Sequence, residues 1–399
     1  MTVNWGLSVH TGHPELVAAI AAEIAASGPI PFVRFMELAL YHPQFGYYMR
    51  APEPTSERIG WRGDFYTSSD VHPLLGQALA KQAEQMDRLL GRPTPFTVVE
   101  MGPGKGLLAR HFLSACRRDF QDVFERLHYV LIDRSPAMRE VQRKNLAPWL
   151  DRPHLLTWMD NLAAVAPQGV TGLFLSNELI DSFPVNRIQI TATGVEELWV
   201  DSHDGQFVEC LRPPSSDAIT DHVRRMHIDW PVGYRTEINL HALNWMKQVA
   251  QLLDRGFVLT IDYGHIAQDL YRPDRKGGTF LCYSRQSTNE EPFLRVGEQD
   301  MTAHVDFTSL ARTGAERGLQ TTGFTNQLSF LMGLGAEHMI KQLEQDSPAF
   351  KAAIHLLRPN GMGTTFKVLV QHKNIVNPEL DGLKYKPFFG ASLSTQSAA

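Results

Sequence analysis

Apolar residues at helical spacing predict three helices near the start of the chain, over residues 14–26, 32–40 and 73–90. The first helix is expected to end at Gly28, because glycine commonly follows the last helical residue. Residues 51–63 contain two prolines and two glycines and are expected to form a loop. The apolar face of the first helix consists of Leu16, Val17, Ile20 and Ile24.

Beyond residue 92, short runs rich in β-branched residues alternate with segments of helical period. Strands are predicted over 96–100, 128–133, 173–177, 257–262 and 364–370. Helices are predicted over 107–116, 137–146, 240–254 and 307–317. Strands that alternate with helices favour a mainly parallel sheet covered on both faces, so we predict a doubly wound α/β fold.

Two segments interrupt this alternation. Residues 185–200 alternate like a hairpin that turns near Gly194, and residues 263–305 form a long stretch rich in Gly, Arg and Asp. We therefore predict three parts of the chain. They are an N-terminal helical cap and substrate-side region over 1–92, a core over 93–390 with insertions at about 186–235 and 264–305, and a flexible tail over 391–399.

Composition excludes some classes of partner. The 399 residues are 43% hydrophobic and 20% charged, a mixture that can build a sizeable core. The formal net charge of −5 gives no basic footprint, so no nucleic-acid partner is expected. The chain has no run of about 18 apolar residues, so no membrane span is expected either.

The cysteines and the first basic residue bear on location. Cys116, Cys210 and Cys282 are far apart and form no CxxC pair, which favours a reducing compartment and predicts no metal site. The first basic residue is Arg34, whereas secretory and mitochondrial leaders both need early positive charge. We therefore predict a cytoplasmic protein.

The strongest chemical motif runs from Val98 to Gly106. A strand ends in the acid Glu100, and a turn with Gly102, Gly104 and Gly106 then opens a helix. Glycines let the backbone approach a ligand closely, because a Cβ would occupy that space. The first amides of the helix would then face the polar groups of the ligand.

Several kinds of site contain such a turn. A nicotinamide site expects a third glycine where Leu107 stands, and a phosphate-binding P-loop expects Ser or Thr where Gly106 follows Lys105. The interpretation we favour is a loop that accommodates the methionine part of S-adenosylmethionine. A purely structural glycine turn is the remaining alternative.

Further polar residues end the neighbouring strands. Asp133 follows the next strand, where its carboxylate would accept two hydrogen bonds from a ribose diol; a solvated strand-end acid is the alternative. Asp160 stands where a contact with adenine is expected, and Asn177 ends a buried strand beside the same crevice.

Glu178 and Asp181 follow Asn177 and are three residues apart, so on a helical turn they would share a face. Two carboxylates beside a sulfonium would position a cationic or proton-losing nucleophile; acids that cap a helix are the alternative. His304, between Asp300 and Asp306, is a weaker candidate for a base, and a structural histidine is favoured there.

An ordered set of motifs covers most of the chain and resembles that of the MidA-like methyltransferases, a family that includes a mitochondrial complex I assembly factor that methylates arginine. The motifs are Tyr41-His42-Pro43, Gly46-Tyr47-Tyr48, Gly63-Asp64-Phe65 with Thr67, residues 100–106, Asp133 with Ser135-Pro136, Asn177-Glu178 with Asp181 and Pro184, Asp262-Tyr263-Gly264, residues 297–307, and Met362-Gly363 with Phe366-Lys367-Val368.

The resemblance implies a seven-stranded class I (Rossmann-like) methyltransferase sheet with an N-terminal helical cap and insertions. It implies S-adenosyl-L-methionine as cofactor and protein arginine N-methylation, with a respiratory NADH dehydrogenase subunit as the known type of substrate. The expected cofactor-binding residues are Glu100, Gly102, Gly104, Gly106, Asp133, Asp160 and Asn177. The expected catalytic residues are Glu178, which would bind the guanidinium and help remove its proton, and then Asp181.

Two other functions remain open at this point. One is a methyltransferase for an oxygen or nitrogen of a small molecule, which would need an enclosed apolar pocket. The other is an assembly factor that binds S-adenosylmethionine without turnover. A homodimer is also left open.

Overall fold

A computed structural model describes residues 12–50, 60, 64, 67–165, 169–386 and 393. Its helices are α1 Pro14–Ser27, α2 Phe32–Tyr41, α3 Ser68–Val71, α4 Leu74–Leu89, α5 Leu107–Asp119, α6 Gln121–Arg126, α7 Pro136–Asn145, α8 Asp217–Met226, α9 Leu240–Leu252, α10 Ala267–Leu270, α11 Phe307–Ala315, α12 Gln327–Gly333, α13 Ala336–Lys341, α14 Pro348–Leu357 and α15 Met362–Thr365. Short 3-10 helices lie at Ala147–Trp149, Leu162–Ala164 and Asp381–Leu383.

The strands are β1 Ile30–Pro31, β2 Phe96–Met101, β3 Leu127–Ile132, β4 Leu156–Met159, β5 Val170–Asn177, β6 Asn186–Thr191, β7 Gly194–His203, β8 Gln206–Arg212, β9 Arg235–Ile238, β10 Leu253–His265, β11 Leu281–Ser284, β12 Ser287–Asn289, β13 Asp300–Thr302, β14 Val305–Asp306, β15 Gln320–Asn326 and β16 Phe366–Lys373. Each predicted helix and strand appears within a few residues of its expected bounds. The predicted loop over 51–63 lies, apart from residue 60, outside the described residues.

The described residues fall into two compact units. The sheet unit comprises the described parts of 53–183, 241–272 and 304–399, and the hairpin unit comprises those of 1–52, 184–240 and 273–303.

The sheet unit is a doubly wound α/β fold. Its strands lie in the order β15-β16-β10-β5-β2-β3-β4, and the short β14 pairs with β10. Strands β4, β3, β2, β5 and β10 are parallel, whereas β16 runs antiparallel between β10 and β15. After β2 the chain builds β3 and β4 on one side and then returns to β5 on the other. The point where this order reverses is the expected place for a ligand in such sheets.

The side chains of each strand are buried alternately in two hydrophobic cores. In β2, Val98 belongs to one hydrophobic core and the next residue, Val99, belongs to the other. Successive strand residues point to opposite faces, so the sheet is covered on both sides. The predicted seven-stranded class I fold is confirmed.

Helix α4 belongs to this unit although its sequence was assigned to the N-terminal cap. Leu75 and Leu79 of α4 are fully buried in the same core as Phe112 of α5. The contact is close at Gly76, where an added Cβ would lie 2.5 Å from the Cβ of His111. The helical period of the sequence predicts α4, but it does not predict which unit the helix packs against. The buried contacts with α5 assign α4 to the sheet unit.

The hairpin unit is built around antiparallel strands in the order β1-β7-β6-β9, with β8 on β7. Strands β12, β11 and β13 form a separate small sheet. The hairpin predicted over 185–200 is observed as β6 and β7, and the two expected insertions largely fall in this unit together with α1 and α2. Phe32 and Phe35 of α2 pack edge-on against Phe280 and Phe293 of the second insertion. The two units are therefore defined by which residues pack together, and the chain has no single boundary between them near residue 92.

Candidate active site

The glycine turn after β2 adopts a conformation that suits glycine. Gly102, Gly104 and Gly106 all have positive φ, at 71°, 52° and 75°. A Cβ on Gly102 would lie 2.7 Å from Cδ1 of Leu179, whereas a Cβ on Gly104 would meet no atom within 4 Å. Gly102 therefore serves close packing, and Gly104 faces open space that a side chain would occupy.

Glu100 lies beneath this turn in the core. It is 2% exposed, and its Oε2 accepts a hydrogen bond from the Tyr129 hydroxyl at 2.8 Å. Burial raises the pKa of Glu100 to about 7, an effect that the Tyr129 hydrogen bond partly opposes.

Gln142, on α7, joins the turn to the next strand. Its Nε2 donates to the Gly104 carbonyl at 2.8 Å and to Oδ2 of Asp133 at 2.6 Å. Its Oε1 accepts from Nε1 of Trp158 at 3.0 Å. Gln142 is fully buried and was not singled out in the sequence, because a glutamine in a polar helix is more often at the surface.

Asp133 is held at the end of β3. Its Oδ1 accepts the amide of Ser135 at 2.8 Å, and burial raises the pKa of the carboxyl, against the effect of its hydrogen bonds. A carboxylate offers about four acceptor positions, so two remain for a ligand diol. We call residues 100–106 with Asp133, Gln142 and Trp158 the glycine-loop half of the site.

Asp160 is placed less favourably. Its side chain is 67% exposed, and its Oδ1 pairs with Nη1 of Arg139 at 2.5 Å. The contact with adenine therefore remains a prediction and has no further support in this geometry.

The second half lies at the ends of β5 and β10. We call Asn177, Glu178, Asp181, Asp262 and Tyr263 the carboxylate half. It adjoins the glycine-loop half directly, because Met101 of β2 pairs with Ser176 of β5 and Gly102 contacts Leu179.

Glu178 stands immediately after β5 in a left-handed conformation, with φ of 52°. Its Oε1 accepts hydrogen bonds from Nδ2 of Asn177 at 3.0 Å and from the amide of Ser68 at 2.9 Å. Burial is the largest influence and raises its pKa to about 8.

Asp181 is 5% exposed, and burial raises its pKa to about 6 against a hydrogen bond from the Tyr263 side chain. Its Oδ1, like Oδ1 of Asn177, is buried without a hydrogen-bond partner among the described residues. Buried polar atoms are nearly always paired, so two orphaned acceptors at one edge are suited to a polar ligand that donates hydrogen bonds.

The short segment around α3 contacts both halves. Besides the Ser68 amide on Glu178, Oδ1 of Asp70 pairs with Nζ of Lys105 in the glycine turn at 2.5 Å. Asp70 also accepts the amide of Thr67 at 3.0 Å and so caps α3. Local sequence patterns carry no signal for these contacts, because the partners in each are more than 30 residues apart.

Each of the weaker candidates has a contact with a structural role. Asp300 lies in the hairpin unit, where it accepts the Tyr48 hydroxyl at 2.6 Å. Asp306 caps α11 by accepting the amide of Ser309 at 3.1 Å, and the ring of His304 packs edge-on against Tyr263. This arrangement suits the structural histidine that was favoured. Of the expected motifs, Gly63 and Phe65 lie outside the described residues, as does the tail apart from residue 393.

The fold, the glycine turn at the reversal of strand order and the acidic strand ends together define a site of the kind found in S-adenosylmethionine-dependent methyltransferases. The residues fit that cofactor: Gly104 leaves room for it, and Asp133 retains acceptor positions for its ribose. Bound there, the cofactor would supply an activated methyl group.

Comparisons with known proteins agree. The family described as "Putative S-adenosyl-L-methionine-dependent methyltransferase" matches residues 78–325, more than half of the chain. A crystal structure from Burkholderia thailandensis with bound S-adenosyl-homocysteine is 32% identical, with a TM-score of 0.82, over 92% of this chain and 94% of that one. The chain therefore belongs to this S-adenosylmethionine-dependent methyltransferase family, the MidA-like family that its motifs resemble.

Curated relatives have related names. "Protein arginine methyltransferase NDUFAF7 homolog, mitochondrial" of Drosophila melanogaster is 29% identical, covering 93% of this chain and 88% of the relative. "Protein arginine methyltransferase NDUFAF7, mitochondrial" of Homo sapiens is 26% identical, covering 88% and 82%.

The enzyme class and the cofactor predicted from the sequence are thus confirmed. The predicted cytoplasmic location was wrong by this comparison, because the relatives named above are mitochondrial proteins. The absence of positive charge near the start of the sequence was too weak a basis for predicting a cytoplasmic location. Across the part of the chain that the structure describes, no helix is both long and apolar enough to cross a membrane.

Proposed function

We propose that the protein is a protein arginine N-methyltransferase in which Glu178 and Asp181 bind the guanidinium of the acceptor. The observation that carries this proposal is the pair of buried carboxyl groups on one turn, directly beside the glycine turn. The names of the curated relatives, protein arginine methyltransferases, support it.

Electrostatics favours a cationic acceptor. Burial raises the pKa of Glu178 to about 8 and that of Asp181 to about 6, so neither carboxylate is well solvated. An arginine side chain remains charged at any physiological pH and presents its N–H donors in a planar fork that matches carboxylates. Its binding would favour the ionised form of both groups and would pair Oδ1 of Asp181, which has no hydrogen-bond partner among the described residues.

The same contacts would prepare the nucleophile. In a guanidinium the nitrogen lone pairs are delocalised, so one nitrogen must regain electron density before it attacks a methyl group. Carboxylates that bind the other nitrogens draw the positive charge toward themselves and leave the remaining nitrogen more nucleophilic. Glu178, fixed by Asn177 and Ser68, would hold the acceptor in line and take up the released proton.

The test is to find which atom receives the methyl group. Purified protein is incubated with S-adenosylmethionine labelled in its methyl group and with extract from cells that lack the gene. Labelled protein is hydrolysed and its amino acids are separated. The resemblance to the MidA-like family suggests a respiratory NADH dehydrogenase subunit as the first acceptor to isolate.

We expect the label in methylated arginine, with its incorporation lost in Glu178→Gln. Label in another amino acid, or only in small molecules, would overturn the arginine proposal and leave the methyltransferase class intact. Cofactor binding without any transfer would instead support the assembly factor that binds without turnover.

A further inference from the structure

A buried carboxylate at the end of β10 has no role in the chemistry described so far. Asp262 is fully buried, and its Oδ2 accepts three consecutive backbone amides, from Leu179, Ile180 and Asp181, at 3.2, 2.9 and 3.4 Å. Its Oδ1 accepts the amide of Tyr263 at 2.9 Å. One side chain thus binds three successive amides of the turn that follows β5.

That turn is not a relaxed one. Glu178 has a φ of 52°, a conformation that costs a residue with a Cβ energy relative to the right-handed region. Three consecutive amides can converge on one oxygen only while the chain keeps this turn. Asp262 therefore stabilises the conformation that directs Glu178 and Asp181.

The surroundings of Asp262 also act on its protonation. Burial raises its pKa well above the usual range for aspartate, and the charge of Asp181 raises it further. A fully buried carboxyl is costly, and here its oxygens are committed to the backbone rather than to a ligand. This commitment marks Asp262 as a support for the site rather than a group that touches the acceptor.

We propose that Asp262 is a positioning residue for methyl transfer, which acts by binding the amides of Leu179, Ile180 and Asp181 and so fixing the turn that carries Glu178. The proposal rests on the role of Glu178 and Asp181 proposed above. It makes the geometry of the carboxylate half depend on a residue 84 positions after Glu178, on another strand.

The first test uses the unaltered protein, so no variant has to fold. Hydrogen exchange is followed residue by residue with the cofactor bound. We expect the amides of Ile180 and Asp181 to be protected at least about 100-fold relative to an unstructured chain, because both donate to a buried carboxyl oxygen. Unprotected exchange would overturn the proposal.

The second test compares Asp262→Asn with Asp306→Asn, a matched variant of the aspartate that caps α11. Turnover is read as total S-adenosylhomocysteine formed with the extract of cells lacking the gene, whatever the acceptor. In Asp262→Asn we expect turnover to fall at least about 10-fold and exchange at 179–181 to rise about 10-fold, because one strong acceptor is weakened. Affinity for S-adenosylmethionine should stay within about 2-fold, as it should in Asp306→Asn.

The outcomes separate the two proposals. Equal turnover in the two variants, or a parallel loss of cofactor affinity in Asp262→Asn, would show a merely structural carboxylate. Asp262→Leu, which has no acceptor, should be worse than Asp262→Asn; equal loss in both would also contradict positioning through these amides. If Asp262→Asn behaves as expected but the label is not on arginine, the positioning role stands and the arginine proposal fails.

Discussion

The two halves of the site hold their polar groups in different ways. In the glycine-loop half, Gln142 and Asp133 are paired with each other and with the backbone, and the glycines supply conformation rather than charge. In the carboxylate half, Glu178 and Asp181 are buried acids with raised pKa values, and Oδ1 of Asp181 has no hydrogen-bond partner in the described part of the chain. The polar groups of the first half are paired mainly with one another, whereas the cationic acceptor proposed above would supply the missing partner in the second. Changes in one half should therefore affect cofactor affinity, and changes in the other should affect methyl transfer.

The largest expected effect is on turnover. Glu178→Gln removes the charge that would bind the guanidinium, so methyl transfer should fall about 1,000-fold, whereas cofactor affinity should change by less than about 2-fold. Initial rates and calorimetric titration measure the two quantities. Glu237→Gln, a buried glutamate of the hairpin unit, is the matched control and should affect neither. Equal losses of affinity and turnover in Glu178→Gln would remove the distinction between the halves.

A second change should act on the cofactor alone. Gly104→Val puts a branched side chain into the open space beside the glycine turn, so affinity for S-adenosylmethionine should fall about 100-fold. Gly91→Val is the control, since Gly91 also has a positive φ and open space but lies outside the site. Both variants bear similar backbone strain and should lose similar stability. Similar cofactor affinities in the two would mean that the turn does not contact the cofactor.

A third change tests whether the glycine-loop half depends on its internal pairing. Gln142→Leu removes the hydrogen bonds to Gly104, Asp133 and Trp158, and cofactor affinity should fall about 10-fold. Gln371→Leu makes the same replacement at a buried glutamine of β16, whose Nε2 donates to Ala311. Calorimetry should find its cofactor affinity unchanged. Unchanged cofactor affinity in Gln142→Leu would show that the glycine-loop half does not need this side chain.

The smallest effect concerns stability. Burial raises the pKa of Glu178 from 4.5 to about 8, so the folded state holds this proton more tightly than the unfolded chain. The resulting stabilisation is fully present below about pH 4 and is lost as pH rises through about 8. Glu178→Gln does not titrate, so without cofactor its Tm should exceed that of the wild type by about 5 °C more at pH 8.5 than at pH 4.5. Scanning calorimetry measures this difference, and a constant gap would contradict the raised pKa.

The sheet unit and the glycine turn were predictable because their signals are local. Alternating β-branched runs and helical periods located the central strands, and the spacing of Gly102, Gly104 and Gly106 located the turn. Strand β15 was missed because its sequence, Gln-Thr-Thr-Gly-Phe-Thr-Asn, contains a single strongly apolar residue. A polar strand at the edge of a sheet does not show the pattern of a buried strand.

The contacts that complete the site were not predictable from local pattern. Gln142 reaches Gly104 across 38 residues, and Asp70 reaches Lys105 across 35, so neither pairing leaves a periodic mark. Asp262 was noticed within a motif, but its role depends on the turn after another strand. Sequence patterns identified candidate residues, but only the folded structure shows which of them are in contact.

The position of β16 has a consequence for synthesis of the chain. This strand lies between β10 and β15, yet it ends at residue 373, long after β10 ends at residue 265. β16 pairs with one edge of β10. At the usual rate of translation, this edge stays unpaired for roughly 5–20 s before β16 has been synthesised. During that interval the nascent protein presents an unpaired apolar edge to other chains. Translation that stops before residue 366 would leave the edge open permanently, and such products are expected to aggregate or to be bound by chaperones.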